Sequence, residues 1–337
     1  MRRGLAPASL VAAAALLACT GPTFEATELP DAPIAIVYRT VEESERVLDV
    51  LQKQDDQAKG KRPEFGTLAV ELERLGEIVG PRRAEDILRQ QFGRMSFYVA
   101  PARRLEPAGF ASRGARPIEW SADRTRLLFS GSSSDSLQLL EWHAATGEVR
   151  QRTRGPRDHT DGCYGPGGAL AYVEVARGPT SRIIVERPGE AARPVTSGPA
   201  DGQPTWSGAA GRLVYTAFDP RQGELLRWID PETGEGGALT RGRSPVFTPD
   251  GQWIVYSAPT PAGWKLWRMR PDGSAKRSFG ASAFHENDPA VSPNGRFVVF
   301  AGTKQERSAT SRLFVRPLDG SPDRQLEMSG SALLPVW

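Results

Sequence analysis

Pro245-Val-Phe-Thr-Pro-Asp-Gly-Gln-Trp-Ile-Val-Tyr256 returns further along the chain as Pro289-Ala-Val-Ser-Pro-Asn-Gly-Arg-Phe-Val-Val-Phe300. Each copy is a short apolar strand, a tight reversal and a second apolar strand. Proline presets the first turn position, and glycine tolerates the positive φ that a tight reversal needs. Working outward, weaker copies begin at Pro117 and Pro204, with a degenerate one at Gly162, a period of about 41–46 residues. A third strand follows in each unit (Leu137–Trp142, Arg182–Glu186, Leu225–Ile229, Lys265–Met269, Arg312–Val315), then turns such as Pro271-Asp-Gly273 and a fourth short strand. Four strands per repeat of this length is the pattern of a β-propeller blade. An all-β, six-bladed propeller is expected, with a small helical insertion near the N-terminus.

Composition agrees. Gly 35 and Pro 28 in 337 residues, without a three-residue period, fit a turn-rich β protein and exclude collagen. Hydrophobic residues at 39% and charged residues at 25% exclude a disordered chain. The formal charge of +3 includes Arg2 and Arg3, and no basic block occurs, so no nucleic-acid partner is expected.

The pattern Ser-Pro-Asp-Gly, an apolar strand, then Leu266-Trp267 and Pro271-Asp-Gly273 resembles the WD40-like repeats of the TolB family of propellers. The resemblance covers about residues 111–337. It implies a propeller that works by binding proteins in the bacterial envelope. The chain departs from that family in its N-terminus, which is shorter before residue 100 and carries a different address.

That address is Met1-Arg2-Arg3, an apolar run from Leu5 to Ala18, and Leu16-Leu17-Ala18-Cys19. The run is too short for a spanning helix and suits a signal h-region. Its ending resembles the bacterial lipobox. That resemblance implies that residues 1–18 are cleaved, that Cys19 carries diacylglycerol through a thioether, and that its freed amine is acylated. Thr20 rather than Asp at the next position implies outer-membrane sorting, with the protein on the periplasmic side. An ordinary secretory signal containing a cysteine is the alternative. Residues 19–32, with Pro22 and Pro30, read as a tether. Cys163 is the one other cysteine, so no disulfide is expected once Cys19 is lipidated, and its strand position reads as packing.

Residues 33–110 read as strands of a closing blade interrupted by helices over 40–93. Val41, Val47, Leu48 and Leu51 mark one helix, Leu68 to Val79 a second and Ile87 to Phe92 a third. The chain ends Leu333-Leu-Pro-Val-Trp337, a first strand without its followers. Ile34–Tyr38, Arg94–Pro101 and Arg103–Glu106 supply a second, third and fourth. The rival is a separate α/β N-terminal domain.

Gly-x-Ser-x-Gly, His-Glu-x-x-His, Gly-x-x-x-x-Gly-Lys and Cys-x-x-Cys do not occur, so neither an enzyme class nor a cofactor is indicated. His159-Thr-Asp161 and Phe284-His285-Glu286-Asn-Asp288 precede or begin first strands, which line a propeller's channel. Imidazole and carboxylate near one axis suit a divalent metal; backbone capping by the aspartates explains them as well, and no metal is assigned. In an antiparallel blade these loops share one face with the second–third loops, opposite the tight turns. His159, Asp161, Phe284, His285, Glu286 and Asp288 are therefore the candidate face for an envelope-protein partner. Carbohydrate binding or cleavage at the channel mouth is the competing class.

Overall fold

In the computed structural model, the described residues are 28–45, 94–99, 104–110, 115–133, 136–176, 180–280, 282–304 and 310–337. The lipobox and most of residues 40–93 lie outside them. Six four-stranded antiparallel sheets form the blades of one propeller. Blade six opens the chain with β1 (Ile34–Arg39), β2 (Arg94–Val99) and β3 (Arg104–Pro107). Blade one holds β4 (Arg116–Trp120), β5 (Arg126–Ser133), β6 (Ser136–His143) and β7 (Val149–Gln151), and blade two β8 (Asp158–Tyr164), β9 (Leu170–Val175), β10 (Ser181–Glu186) and β11 (Arg193–Pro194). Blade three is β12 (Gly202–Ser207), β13 (Arg212–Asp219), β14 (Gly223–Ile229) and β15 (Gly236–Arg241). Blade four is β16 (Arg243–Phe247), β17 (Ile254–Thr260), β18 (Gly263–Met269) and β19 (Arg277–Ser278). Blade five is β20 (His285–Val291), β21 (Phe297–Thr303), β22 (Arg312–Pro317) and β23 (Arg324–Gln325). The last strand, β24 (Ser331–Val336), returns to blade six, whose order is β24-β1-β2-β3.

Both ends of the chain thus build one blade. Pairing of β1 with β2 is common to a shared blade and to a separate N-terminal domain. The ladder that decides is β24 on β1, with Val37 opposite Leu333 and Ala35 opposite Val336. Blade six packs on both neighbours. Ile34, Ile36, Tyr98 and Trp337 join Phe297, Val299 and Val315 of blade five, while Ala35, Met95 and Phe97 join Trp120 and Leu127 of blade one. Closure leaves no bare inner edge.

The turns explain the repeat. Gly251 N–H donates to the Thr248 carbonyl at 2.8 Å, and the Asp250 carboxylate accepts from Thr248 Oγ1 at 2.5 Å and Gln252 N–H at 3.0 Å. Blade five repeats this with Ser292, Asn294 and Gly295, and blade one with Ser121 and Asp123. Gly251 and Gly295 hold φ of +68° and +67°. Blade one keeps the same hand with Arg124 at +59°, which is why its copy is weak in sequence. Second strands are buried on both faces: every residue of β21 is buried, with no two-residue alternation. Cys163 lies in β8 at 1% exposure, where burial pushes its thiol up.

The two faces of the ring differ. Tight first–second and third–fourth turns occupy one. The chain enters β1 on that side, where Arg124 Nη2 donates to the Pro33 carbonyl at 2.9 Å and Arg296 lies 3.8 Å from Glu28. On the opposite, loop face, β1 runs into a helical turn over 41–45. Thr40 and Glu43 close it reciprocally: Glu43 N–H donates to Thr40 Oγ1 at 3.2 Å, and Thr40 N–H donates to Glu43 Oε2 at 2.9 Å. β1 ends and β2 begins on this face.

Candidate site at the channel mouth

Each first strand carries a β-bulge where it lines the channel. At five of the bulges a non-glycine residue holds positive φ: Asp161 (39°), Gln203 (49°), Ser244 (51°), Asp288 (49°) and Leu334 (49°). Such backbone costs on the order of 1–3 kcal/mol per residue and persists only where surroundings enforce it. Proline follows four of the five, since it has no N–H to give the ladder and is tolerated at a bulge. Gly162 replaces it in blade two, where a Cβ would meet the Ala171 carbonyl at 2.9 Å.

The bulges aim side chains at one cavity of about 140 Å³, lined by residues from all six blades. At roughly 30 Å³ per water, it holds a handful of waters or one inserted side chain. Arg116 Nη1 pairs with Asp161 Oδ1 at 3.1 Å. Gln203 Nε2 donates to Ser244 Oγ at 3.1 Å, Ser244 N–H donates to Gln203 Oε1 at 3.0 Å, and Ser244 Oγ donates to Asp288 Oδ1 at 3.4 Å. Five neighbouring blades so contribute a polar collar, interrupted by Leu334 of blade six. Burial raises Asp288's carboxyl above the ordinary range, against the opposing pull of Arg116 and Arg243. Deeper in the channel Glu119 is half-buried in the cavity wall, and desolvation there pushes its pKa up to about 8, against the Tyr164 N–H that donates to Oε2 at 2.5 Å.

Of the six residues singled out in sequence, Asp161 and Asp288 enter this collar. The other four do not line the channel. His159 and Glu286 are corresponding residues, each two before its bulge aspartate, and both are buried against the preceding blade. His159 Nδ1 meets Gln138 Oε1 at 2.9 Å. That oxygen also accepts from Thr153 Oγ1, while Gln138 Nε2 donates to the Arg157 carbonyl, so His159 carries its proton on Nδ1. Burial lowers its pKa, opposed by Glu174, whose carboxylate lies 3.7 Å from Nε2. Glu286 is wholly enclosed and takes Leu266 N–H at 2.7 Å and Arg316 at 2.7 and 3.1 Å. Burial pushes its carboxyl up, but Arg316's bonds and charge outweigh that and hold it below the ordinary range. As a contact surface both are corrected: their place is inside blade-to-blade packing. Phe284 is half-buried against Phe314, with centroids 5.2 Å apart, and His285 is half-buried beside Trp264, whose N–H lies 3.4 Å from Nδ1. Aligning the two histidines with each other misplaces the repeat by one residue. In a strand one residue is a change of face.

Sequence reasoning missed Arg116, Gln203 and Ser244. Their signal was the residue before the recurring proline: Arg116-Pro117, Gln203-Pro204, Ser244-Pro245, Asp288-Pro289 and Leu334-Pro335. Among the described residues no group of three or more His, Cys, Asp or Glu is placed to hold a metal ion.

Six four-stranded blades, the last closed by both ends of the chain, make a six-bladed β-propeller, and solved propellers share this fold. The chain is similar to the structure of a putative TolB from Agrobacterium tumefaciens, at 22% identity and a TM-score of 0.56, over 68% of this chain and 86% of that one. TolB from Acinetobacter baumannii matches over 92% of this chain and 68% of its own, at 13% identity and a TM-score of 0.63. In sequence, an uncharacterized protein of Agrobacterium fabrum is 27% identical over 141 residues, 40% of this chain; the chain spans about half the length of this curated relative, 48%. No protein-family profile matches the chain.

Proposed function

We propose that the protein is a lipid-anchored propeller of the bacterial envelope, held to the outer membrane through Cys19 with its blades on the periplasmic side, and that it serves as a protein-binding scaffold. Residues 1–18 are its signal peptide, 19–32 its tether, and 40–93 an insertion beside the channel mouth. The observation that carries the reading is the collar. Blades one to five each direct a polar side chain into one mouth, on backbone strained at four of the five, while on the opposite face blades one, four and five repeat one Asp- or Asn-centred turn. Variation on a rigid frame is where recognition resides. A partner's side chain inserted among Arg116, Asp161, Ser244 and Asp288 matches the cavity's size and hydrogen-bonding character.

Capture from detergent-solubilised envelopes tests this. The wild-type chain retains an envelope protein, and Asp161→Asn with Asp288→Asn, which keeps shape and tolerates positive φ, loses it at unchanged melting temperature. Equal capture by both chains overturns the mouth as the binding site. Labelled palmitate enters the wild-type protein and not Cys19→Ser; a wild-type protein released soluble into the periplasm overturns the anchor.

A further inference from the structure

The turn face carries a chemistry of its own. Aromatic rings there lie under guanidinium groups: Arg124 sits 4.6 Å from the Trp120 centroid, Arg212 4.0 Å from Trp228 and Arg270 4.1 Å from Trp253. Further round, Arg187 sits 5.8 Å from Trp206 and Arg296 5.5 Å from Phe297. Stacking holds the apolar stem and ring together; Arg212 Nη1 also donates to the Pro271 carbonyl at 2.9 Å, Arg270 Nη1 to Gln252 Oε1 at 3.0 Å, and Arg187 pairs with Glu232. Blade four is the densest sector. Trp253 is shared by Arg270, by Arg268 at 4.8 Å and by Arg277 at 5.7 Å. Segments 207–212, 247–253 and 268–278 together hold Arg212, Arg268, Arg270, Lys276 and Arg277 against Asp250 and Asp272, and the acidic turn Asp230–Glu235 of blade three borders them with Glu232 paired to Arg187 of blade two. Asp250 and Asp272 are engaged inside their turns, accepting Gln252 N–H at 3.0 Å and Ser274 N–H at 2.9 Å.

A second observation is independent of charge. The N-terminal stretch comes into the fold on this same side, at Arg124 and Arg296. We propose that the turn face docks on an anionic lipid surface, with the arginine–tryptophan sector of blade four at headgroup level. Indole with an adjacent cation is the pairing that sits at a membrane interface, apolar body inward and charge toward phosphate. Arginine also matches phosphate oxygens in two-point geometry. An acidic protein would satisfy the charges but gives no reason for the N-terminus to arrive here. In one respect the inference rests on the proposed anchor: from an acylated Cys19, the nine residues Thr20–Glu28 reach at most about 30 Å. That tether keeps the turn face toward the bilayer and leaves the channel mouth pointing away from it, toward a partner.

Vesicle cosedimentation of the mature chain, residues 19–337 carrying Cys19→Ser, separates docking from anchoring. The protein should bind phosphatidylcholine vesicles containing phosphatidylglycerol, bind pure phosphatidylcholine far less, and release as salt is raised. Arg270→Gln with Arg277→Gln should weaken binding by roughly thirtyfold, at about 1 kcal/mol for each arginine near an anionic leaflet. The corresponding double lysine variant should retain most of it, and Arg241→Gln on the loop face all of it. Equal binding to neutral and anionic vesicles overturns the proposal. So does binding untouched by the double glutamine variant with its melting temperature preserved, or capture of an acidic protein through these arginines without vesicle affinity. Failure of palmitate labelling with vesicle binding intact removes the anchor and leaves the docking face standing.

Discussion

Deleting Leu333–Trp337 should remove most of the stability of the ring, because those five residues are the inner strand of a blade whose other strands lie at the opposite end of the chain. Trp337 is 6% exposed and stacks on Phe297 with centroids 6.4 Å apart. Truncating a buried tryptophan costs about 3–5 kcal/mol. The half-buried Leu333, Leu334 and Val336 add about 1 kcal/mol each. The Val37–Leu333 and Ala35–Val336 ladder pairs go with them. A loss on the order of 6–8 kcal/mol is comparable to the whole 5–15 kcal/mol margin of an ordinary domain. It also bares β1, whose Ile34-Ala-Ile-Val37 is an apolar edge ready to pair with another chain. Circular dichroism melts and light scattering read both effects. The truncated protein should aggregate or melt far below wild type, and Trp337→Ala alone should lower the melting temperature by roughly 10 °C. A truncated chain that stays monomeric and melts within a couple of degrees of wild type would refute closure by β24.

Two further outcomes follow from buried charge. Glu119 holds its proton in the fold up to about pH 8 while the unfolded chain releases it near the ordinary 4.5, so the folded state binds more protons across that window. Its contribution is therefore complete below that lower value and is lost as pH rises toward 8, on the order of 1 kcal/mol per pH unit; Glu119→Gln should flatten this decline in denaturant titrations and melt above wild type at alkaline pH. Arg316→Met strands Glu286 in the packing between blades four and five and should cost about 3–5 kcal/mol. Adding Glu286→Gln cancels the stranded charge while keeping an acceptor for Leu266 N–H, and should restore part of that loss in the same titrations.

How much of this was legible depends on whether a residue's role is local. The turns at Asp250 and Asn294 announce themselves because side chain, glycine and proline act within four residues of each other. The apolar runs beside them needed no period, since a second strand covered on both faces is simply apolar throughout. Fourth strands such as β11, β19 and β23 span two residues each and leave no compositional trace. The site was half legible. Asp161 and Asp288 stand out as charges before a first strand, but Gln203, Ser244 and Leu334 become visible only once the bulge is known to be the conserved geometry of every blade. His159 and Glu286 look like a polar surface pair in sequence; burial against the preceding blade is a property of the ring, not of the segment.

Glu286 and His159 also show why the collar can be strained without weakening the ring. Two residues before each bulge, the strand is fastened to the blade behind it: Glu286 to Leu266 N–H and Arg316, His159 to Gln138. Those bonds are enclosed, where an electrostatic contact is worth more than in water and a lost one costs more. The bulge residue that follows is then carried by a strand already fixed in place, so Asp161 and Asp288 can hold an unfavourable φ and point into the channel. Blade six is fastened in the same place, Ser331 and Ala332 to Ser311 of blade five, but has Leu334 where the others have polar groups. It is also the blade whose loop-face connection is the long segment between β1 and β2.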